Sequence, residues 1–526
     1  MVYSLGNLRV GERMASIKLV VSNRGALTAK YGAAGVAAIE RALARLARAD
    51  AKRALTLKLC WLDRAGSLRG SGAKPVADAA DQKGAKAAID ALARRWKPDY
   101  VLILGAPDVV PHQHLVNPVF DPKEEEGDLD KDVPSDLPYA CEAPFAADIA
   151  AFRAPTRVVG RLPDVAGGRD PAYLVGLIDA AAAAAPLPRV DYEGYFALTN
   201  DSWRRSTSLT LRRIYGNDAS MHRVPPEGPP WKLARVRALA HFVNCHGAEA
   251  DDHFYGEEDK EDDPDQPVSL STRDIARRIR RGTVAAMECC YGAQLFDAKR
   301  LNRGRPGLGN VYLGAGAWGY FGSTTVAYGP AAGNGSADLL TRFFLKAVLG
   351  ARSIGRATLE ARQEFAAGGG DLDPVDLKTL GQFILLGDPS VQPVAKEASD
   401  VPKALRRLIT AEAPRLQRKA RRAKLVAKKD SLAAVPVARA VRRQVPDALT
   451  RELRRLAARE VDAPHVRRFE TIGASGRALA GRQMHLVVGT QKGPRGGKRP
   501  VVFIVRHIEG RVAKVVAHYG KTFLKR

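Results

Sequence analysis

Two reactive side chains follow apolar runs near the middle of the chain. His246 comes directly after "HFVNC", and Cys290 ends the run "TVAAMECC", about forty residues further on. Such runs predict buried strands, and the carboxyl ends of neighbouring parallel strands meet at one edge of a sheet. A thiolate is a strong nucleophile, and an adjacent imidazole lowers the pKa of the thiol and protonates a leaving amine. The arrangement therefore indicates nucleophilic chemistry by a thiol beside an imidazole.

Glycines stand close to both candidates. Gly247 follows the histidine, and Gly292 lies two residues past the cysteine. Glycine lets backbone N–H groups approach a ligand closely, which suits the binding of an oxyanion. Taken alone, the two adjacent cysteines also fit buried, inert thiols, and a single histidine is more often structural. Because successive side chains of a strand face opposite sides, only one cysteine can face His246, and we expect Cys289 to lie in the core.

The composition is that of a globular protein of two to four domains. The chain has 526 residues, of which 45% are apolar, and it contains no run of eighteen apolar residues that would predict a membrane span. Its N-terminal residues do not have the pattern of a secretory signal. Five cysteines at these spacings predict neither a disulfide framework nor a zinc site. We therefore expect a reducing, cytoplasmic compartment, and heavy use of Ala and Arg is typical of GC-rich bacteria.

The order of strand-like and helix-like segments predicts an α/β fold. "SIKLVVS", "ALTLKLCWL" and "YVLILG" alternate with two helical segments, which indicates a parallel, doubly wound sheet. The pattern restarts at "YEGYFALTND" and predicts a second sheet. We predict an N-terminal α/β subdomain over 1–190 and a catalytic α/β subdomain over 191–395. A basic helical linker over 396–435 and a small α+β domain over 436–526 follow, the latter ending in an antiparallel hairpin at "IEGR".

The positive charge is concentrated in the C-terminal part of the chain. Of the net charge of +26, residues 396–526 carry +23 and residues 1–395 carry +3. Such a segment is either a solvated helix and linker or a binding surface for nucleic acid or an acidic protein. It has no recognisable DNA- or RNA-reading signature and few aromatic residues to stack on bases. A third interpretation makes it a platform for a partner or for the substrate, and no membrane partner is expected.

The motifs resemble those of the gingipain-type cysteine peptidases, in the superfamily of caspases and legumains. "FVNCHG" and "AAMECCYGAQLF" resemble the two strands that end in His-Gly and in acid–small–Cys. "YVLILGAPDVVP", "SDLPYA", "VVGRLP", "YFGSTT" and "ILLGDPSV" resemble further segments of this family. They occur in the family's order between about residue 100 and residue 395. The resemblance implies a two-subdomain, caspase-like α/β catalytic unit.

The resemblance also implies roles for individual residues. Cys290 would be the nucleophile, His246 the general acid and base, and the backbone amides of Gly247 and Cys290 the oxyanion hole. Asp201 in "FALTNDSW" would orient the histidine, although it equally suits the cap of the following helix. The wall of the specificity pocket would come from "GSTTVAYG", with Ser323, Thr324 and Tyr328. No organic cofactor and no metal are needed.

The chain departs from the family pattern at several points. Cys245 stands where the family usually has Gly, and Cys289 is the small residue before the nucleophile. The acid that gives some members Arg specificity falls near "TLRRIYG", where there is none, so the resemblance implies no Arg preference. The acidic run over 257–267 is either a solvated loop or, alternatively, an acidic rim for basic substrates or a calcium site.

Together these observations predict a cytoplasmic bacterial cysteine endopeptidase. It would cleave peptide bonds through a thioester, and its basic C-terminal region would recruit partners or regulate activity. The alternative is a non-catalytic protein of the same fold that binds nucleic acid or a protein partner through the basic region.

Overall fold

A computed structural model describes most of the chain. The described residues are 16–121, 128–257, 266–330, 333–368, 370–396, 423–441, 445, 447–457, 461–492 and 498–521.

The strands fall into a large sheet, a C-terminal sheet and two small ones. The strands are β1 (Ser16–Ser22), β2 (Leu55–Trp61), β3 (Tyr100–Leu104), β4 (Gln113–Val116), β5 (Asp132–Ser135), β6 (Val159–Leu162), β7 (Tyr195–Thr199), β8 (Met221–Arg223), β9 (Ala240–Asn244), β10 (His246–Gly247), β11 (His253–Tyr255), β12 (Val268–Ser271), β13 (Val284–Met287), β14 (Gly319–Ser323), β15 (Tyr328–Gly329), β16 (Phe383–Leu386), β17 (Val437–Ala440), β18 (Asp462–Ile472), β19 (Ala478–Lys492), β20 (Lys498–Ile508) and β21 (Arg511–Gly520).

Helices connect most of the strands. The helices are α1 (Arg24–Lys52), α2 (Ala65–Leu68), α3 (Gln82–Trp96), α4 (Ala172–Ala182), α5 (Arg204–Tyr215), α6 (Leu233–Val236), α7 (Thr272–Ile275), α8 (Ala298–Leu301), α9 (Leu308–Gly314), α10 (Ser336–Leu349), α11 (Ile354–Ala367), α12 (Pro374–Gln382), α13 (423–433) and α14 (Asp447–Ala457). Short 3-10 turns lie at Leu137–Ala140, Ile149–Phe152 and Arg189–Tyr192. None of the described helices has the length and apolar character that a membrane crossing requires.

One ten-stranded sheet forms the centre of the molecule. Its strand order is β2-β1-β3-β6-β16-β14-β13-β9-β7-β8, and every pair is parallel except β14 with β16. Strands such as β9 and β13 are buried along their whole length, which is why they read as continuous apolar runs. The prediction of an α/β fold with a parallel sheet is thus confirmed in its coarse form.

The prediction of two separate sheets, one in each subdomain, is wrong. Strand β16 lies between β6 of the first predicted subdomain and β14 of the second, and it hydrogen-bonds to both. It has only four residues and directly follows α12. A short apolar run after a helix cannot be distinguished from the end of that helix by periodicity, so the hydrophobic pattern does not predict this strand.

A second, antiparallel sheet contains the C-terminal strands, in the order β15-β21-β20-β19-β18-β17. Helix α14 packs against it through the apolar side chains of Leu453, Ala457, Val487, Val501 and Val505. The predicted helix and hairpin are therefore present, and the hairpin turns at Glu509 and Gly510, both with positive φ, as a two-residue turn requires.

The C-terminal sheet is not self-contained, because its edge strand β15 comes from the middle of the chain. Tyr328 pairs with Gly520, and Gly329 pairs with Tyr519. Of the predicted basic linker, residues 397–422 lie outside the described residues, and 423–433 are helical.

A buried cation connects three parts of the first half of the large sheet. Lys18 Nζ on β1 lies 2.6 Å from Asp50 Oδ2 near the end of α1 and 2.6 Å from Asp388 Oδ2 after β16. All three side chains have no exposed surface. A charge in such a place is stable only when it is paired, so Lys18 neutralises two carboxylates that the fold has withdrawn from water.

Replacing Lys18 by Met should therefore destabilise the protein strongly. The substitution removes the cation that Asp50 and Asp388 share and leaves Asp50 with Arg53 at 3.6 Å, and we expect a loss of about 3–5 kcal/mol in the free energy of unfolding. Urea denaturation followed by circular dichroism measures it. The matched control is Arg45→Met, which removes an ion pair with Asp179 whose side chains are about 40% exposed. A shift in the Arg45 variant as large as that in the Lys18 variant would contradict the assignment.

Candidate active site

Strands β9 and β13 place the predicted histidine and cysteine at one edge of the large sheet. They are parallel neighbours, with Ala240 opposite Val284 and Val243 opposite Met287. His246 follows the end of β9, and Cys290 follows the end of β13. Each keeps only 1% of its surface exposed. The two candidates therefore lie at the same edge, and the structure describes that edge in a closed state.

The two strand ends touch through their backbones. A Cβ atom added to Gly247 would lie 2.0 Å from the carbonyl oxygen of Cys290 and 3.2 Å from its amide nitrogen. Because no side chain fits into such a gap, only glycine permits the two segments to come this close. The N–H groups of both residues, which were predicted to bind an oxyanion, thus lie in one small region.

The thiol of Cys290 faces the segment between β14 and β15. The Ala327 N–H donates to Cys290 Sγ over 3.1 Å. Burial raises the pKa of the Cys290 thiol far above its usual value, against the opposing effect of this N–H and of nearby lysines. The thiol of Cys289 instead lies 3.8 Å from the Val243 carbonyl in the core of the sheet. The structure thus places Cys289 in the core, as the alternation of strand side chains predicts.

The imidazole of His246 contacts an aromatic ring and a carboxylate. The ring of the buried Trp203 packs edge-on at a centroid distance of 4.8 Å. His246 Nε2 lies 3.4 Å from Glu257 Oε1. Burial lowers the pKa of His246, while the hydrogen bond and negative charge of Glu257 act to raise it. Burial alone would raise the pKa of Glu257, but His246 outweighs it and the value falls to about 2.

Asp201 does not take the place predicted for it. Its side chain is 55% exposed and pairs with Arg223 at 3.1 Å, and the carboxylate beside His246 belongs to Glu257. The backbone N–H of Ser202 donates to the second oxygen of Glu257 over 2.9 Å and fixes its position. In the sequence, Glu257 is the first residue of the acidic run and cannot be distinguished from the rest of it. In the structure, its side chain points into the protein. Residues 258–265 of that run lie outside the described residues.

Next to the histidine and the cysteine lies a buried pocket that binds a lysine side chain of the same chain. Lys521 Nζ lies 2.7 Å from Glu288 Oε2 and donates to Asn244 Oδ1 over 2.7 Å. Asp338 Oδ1 is 3.8 Å away, and the ring of Trp203 lies beneath the ammonium at 5.3 Å. The pocket is thus built to hold a single positive charge.

Both carboxyl groups of the pocket, those of Glu288 and Asp338, are fully buried. Burial, together with the charge of Glu288, raises the pKa of Asp338 well above its usual value. Burial alone would lower the pKa of Lys521, but Glu288 and Asp338 outweigh it and raise the value. Thr341 donates to Glu288 over 2.5 Å, and Ser206 donates to Asp338 over 3.1 Å. The pocket therefore presents two carboxyl groups to one ammonium.

The backbone of Lys521, directly after β21, is held at the strand ends by two hydrogen bonds. Its N–H donates to the Ala327 carbonyl over 2.9 Å, and its carbonyl accepts from the Gly247 N–H over 3.1 Å. The backbone of Lys521 also forms a hydrogen bond with the imidazole of His246. Together with the pairing of β21 to β15, these hydrogen bonds fix Lys521 over the ends of the central strands.

The residues predicted to form the pocket wall have different roles. Ser323 donates to the Thr325 carbonyl, and Thr324 donates to the Pro134 carbonyl, so both hydroxyl groups bind backbone of the body. Tyr328 contacts the extended segment through its backbone, and its hydroxyl donates to Asp128 over 3.1 Å. Of the three, only Tyr328 therefore touches the bound strand through the contacts described.

Sequence reasoning missed the residues that hold the ammonium. Asn244 ends the buried strand β9, and Glu288 directly follows the buried strand β13. A polar or charged residue at the end of an apolar strand is costly to bury without a partner, so both positions carried a usable signal. Asp338, on α10 far along the chain, carried none.

One cluster of possible metal ligands lies among the described residues. There, Asp251, Asp252 and His253 are the one group whose ligand atoms lie within 4.8 Å of one another. Asp251 accepts from the Tyr255 hydroxyl, and Asp252 accepts from Asn302, so these side chains bind each other and their neighbours.

The segment that contains the site matches a known family. Residues 209–394 of the 526 match the family model described as peptidase family C25. No curated protein matches the chain in sequence. The matched segment includes β9, β13 and the pocket residues Asn244, Glu288 and Asp338, and it confirms the resemblance drawn from the motifs.

We predict that the carboxylate that raises the pKa of the His246 imidazole is Glu257 and not Asp201. Glu257→Gln removes a charge that raises the pKa of His246, so we expect that pKa to fall by about 1 to 3 pH units. NMR titration of labelled histidine measures it, and His246→Asn identifies the resonance. The matched control is Asp201→Asn, which should leave the titration unchanged. An equal effect of both substitutions would refute the geometry described here.

Proposed function

We propose that Cys290 and His246 are the catalytic pair of a cysteine peptidase, because residues 209–394 match peptidase family C25, the gingipain family. The observation that carries this proposal is the position of the Lys521 backbone. Its carbonyl accepts from the Gly247 N–H beside Cys290, as the carbonyl of a peptide about to be cleaved would.

In this proposal, the reaction follows the chemistry of an activated thiol. His246 accepts the proton of the Cys290 thiol, Cys290 Sγ attacks the carbonyl carbon of the substrate, and the Gly247 N–H stabilises the oxygen on which negative charge develops. His246 gives a proton to the leaving amine, and a thioester remains. His246 then takes a proton from water, which hydrolyses the thioester and restores the thiol. Glu257 holds the ring and stabilises its protonated form, as its contact with Nε2 suggests.

The lysine pocket suggests the class of substrate. A side chain that enters it must supply a cation to Glu288, since burying that carboxylate without one is costly. Gly329 borders the space, because a Cβ there would lie 3.1 Å from Lys521 Nζ. We therefore propose that the enzyme cleaves after a basic residue and that lysine is the residue its pocket accommodates.

The non-catalytic alternative makes a different prediction about the same groups. A binding protein would have no use for a thiol beside two backbone N–H groups and an imidazole with a buried carboxylate. The basic C-terminal strands are, in this structure, partly engaged with the edge of the active site through β15. That contact favours the peptidase and makes regulation by the C-terminal region part of the proposal.

Replacing Cys290 by Ala should abolish cleavage of a peptide that ends in Tyr-Gly-Lys before a fluorophore. We expect kcat/KM to fall by about a thousandfold or more, and by about a hundredfold or more for His246→Ala. The matched control is Cys289→Ala, which removes the adjacent buried thiol and should keep most of the activity. Equal losses for the two cysteines, or cleavage that survives Cys290→Ala, would rule out the proposed nucleophile.

Replacing Glu288 by Gln should reduce cleavage after lysine selectively. The pocket would lose the charge that compensates the ammonium, and we expect kcat/KM for the lysine peptide to fall about a hundredfold. For the same peptide with leucine in place of lysine, Glu288→Gln should leave kcat/KM unchanged. The surface control is Glu360→Gln, which disrupts only an exposed pair with Arg352. A wild-type enzyme that cuts the leucine peptide as fast as the lysine peptide would overturn the assignment of the pocket.

A further inference from the structure

A network of polar side chains next to Cys290 lies outside the groups of the proposed reaction. Asp130, in the loop before β5, accepts the Val326 N–H at Oδ2 and the Tyr291 hydroxyl at Oδ1, each over 2.8 Å. Lys378 Nζ on α12 lies 3.2 Å from the same carboxylate. Asp130 thus connects the residue that follows Cys290, the segment between β14 and β15, and α12.

The two backbone segments that Asp130 holds are the ones that meet at the thiol. Val326 is followed by Ala327, whose N–H donates to Cys290 Sγ over 3.1 Å. Tyr291 is the next residue after the cysteine itself. One carboxylate therefore fixes the chain on both sides of the contact between the thiol and the amide.

Tyr291 has a backbone conformation that requires such an anchor. Its φ is 54°, in the left-handed region that bulky residues rarely adopt. A residue stays in that region only where the surrounding structure fixes it. Its N–H donates to the Thr325 carbonyl over 3.1 Å, and its hydroxyl donates to Asp130. These two hydrogen bonds fix the turn that follows Cys290.

A buried ion pair keeps Asp130 in place. Lys378 has no exposed surface, and it also binds Asp128, a second buried carboxylate. The Tyr328 hydroxyl donates to Asp128 over 3.1 Å, and the ammonium lies 5.3 Å from the centre of the Tyr328 ring. Since a buried charge is stable only when it is paired, Lys378 holds both carboxylates and, through Asp130, the segment beside the thiol.

We propose that Asp130 is a positioning residue of the peptidase, which holds the Ala327 N–H on Cys290 Sγ and fixes the turn at Tyr291. The inference rests on the proposed function and adds a residue that precedes the matched segment 209–394. Asp130 acts through the backbone that it binds. An N–H that donates to sulfur stabilises the thiolate more than the thiol, because hydrogen bonds to a charged acceptor are stronger.

The charge of Asp130 and its positioning have opposite effects on the thiol. Its negative charge raises the pKa of Cys290, whereas the Ala327 N–H that it positions lowers that pKa, as do the charges of Lys378 and Lys521. A substitution that removes only the charge must therefore lower the pKa, and one that also removes the anchor must lower it less. Three further side chains that interact with this thiol stay unchanged in both cases: Cys289, Tyr291 and Tyr328.

Asp130→Asn and Asp130→Ala separate the two effects. The amide oxygen of Asn accepts the Val326 N–H and its NH2 group donates to the Tyr291 hydroxyl, so the anchor remains while the charge is lost. Lys378 keeps Asp128 as its partner in both variants. The measurements on the full chain are kcat for the lysine peptide and the pH midpoint of iodoacetamide alkylation at Cys290, read by mass spectrometry of the digested protein.

Asp130→Asn should keep kcat within about threefold and lower the alkylation midpoint by at least about half a pH unit. Asp130→Ala should lose about tenfold or more in kcat, because a displaced reactive group is costly, and its midpoint should lie above that of Asp130→Asn. Tyr291→Phe loosens the anchor and keeps every charge, so it should lower kcat without lowering the midpoint. The matched control is Asp132→Ala, which removes a carboxylate that is 45% exposed on the neighbouring strand, and it should change neither quantity.

The two measurements separate failure of this inference from failure of the proposed function. If wild-type enzyme cleaves the peptide but Asp130→Asn and Asp130→Ala agree in kcat and in midpoint, Asp130 acts by its charge alone and the positioning role is wrong. If wild-type protein cleaves no peptide, the proposed function fails. The alkylation midpoints then still decide whether Asp130 positions the amide on the thiol, since alkylation requires no peptide.

Discussion

The buried ammonium of Lys521 joins the two sheets of the molecule at the edge where the reactive residues lie. It is neutralised by Glu288 at the end of β13 and bound by Asn244 at the end of β9. A lysine with no exposed surface is costly unless its charge is matched, so the pocket must exist for the strand to be there. Everything else at the site, including the pairing of β21 with β15 and the closed cleft, depends on that match.

The large sheet explains why the match is possible. Two parallel neighbours end at the same level, and Gly247 lets the backbones of the two ends touch. The polar residues that directly follow or end these strands are then presented side by side. One strand contributes the imidazole and an amide oxygen, and the other contributes the thiol and a carboxylate. The acidic pocket and the reactive pair are therefore neighbours by construction, separated only by the ring of Trp203.

What the sequence predicted and what it missed have a common physical cause. The strand ends at His246 and Cys290 were predictable, because a buried parallel strand leaves a long apolar run and its end is a fixed point. The position of a carboxylate in a loop was not predictable, because Asp201 and Glu257 both precede charged or turn-forming residues. Only the tertiary contacts decide that Glu257 points inward. Likewise, β16 merged two predicted sheets through four residues without any distinguishing periodicity.

The pairing of Lys521 with the carbonyl-binding N–H of Gly247 has no counterpart in sequence, because the two residues lie at opposite ends of a long stretch of chain. The charge excess of residues 396–526 drew attention to surfaces for nucleic acid or acidic proteins. One lysine of that segment instead binds inside the protein, to carboxyl groups of its own chain. Composition reports how many charges a segment carries, and only the fold determines which of them is used and by what partner.

Burial also determines the chemical state of the closed site. It raises the pKa of the Cys290 thiol and lowers the pKa of the His246 imidazole, so both groups are held neutral while β21 covers them. Burial is the largest cause of each shift, and Lys521 lies over the same strand ends without any exposed surface of its own. Exposure of the pair to water would move both pKa values towards each other, which favours the thiolate beside a protonated imidazole. The closed edge thus disfavours the ionised pair that the proposed reaction uses.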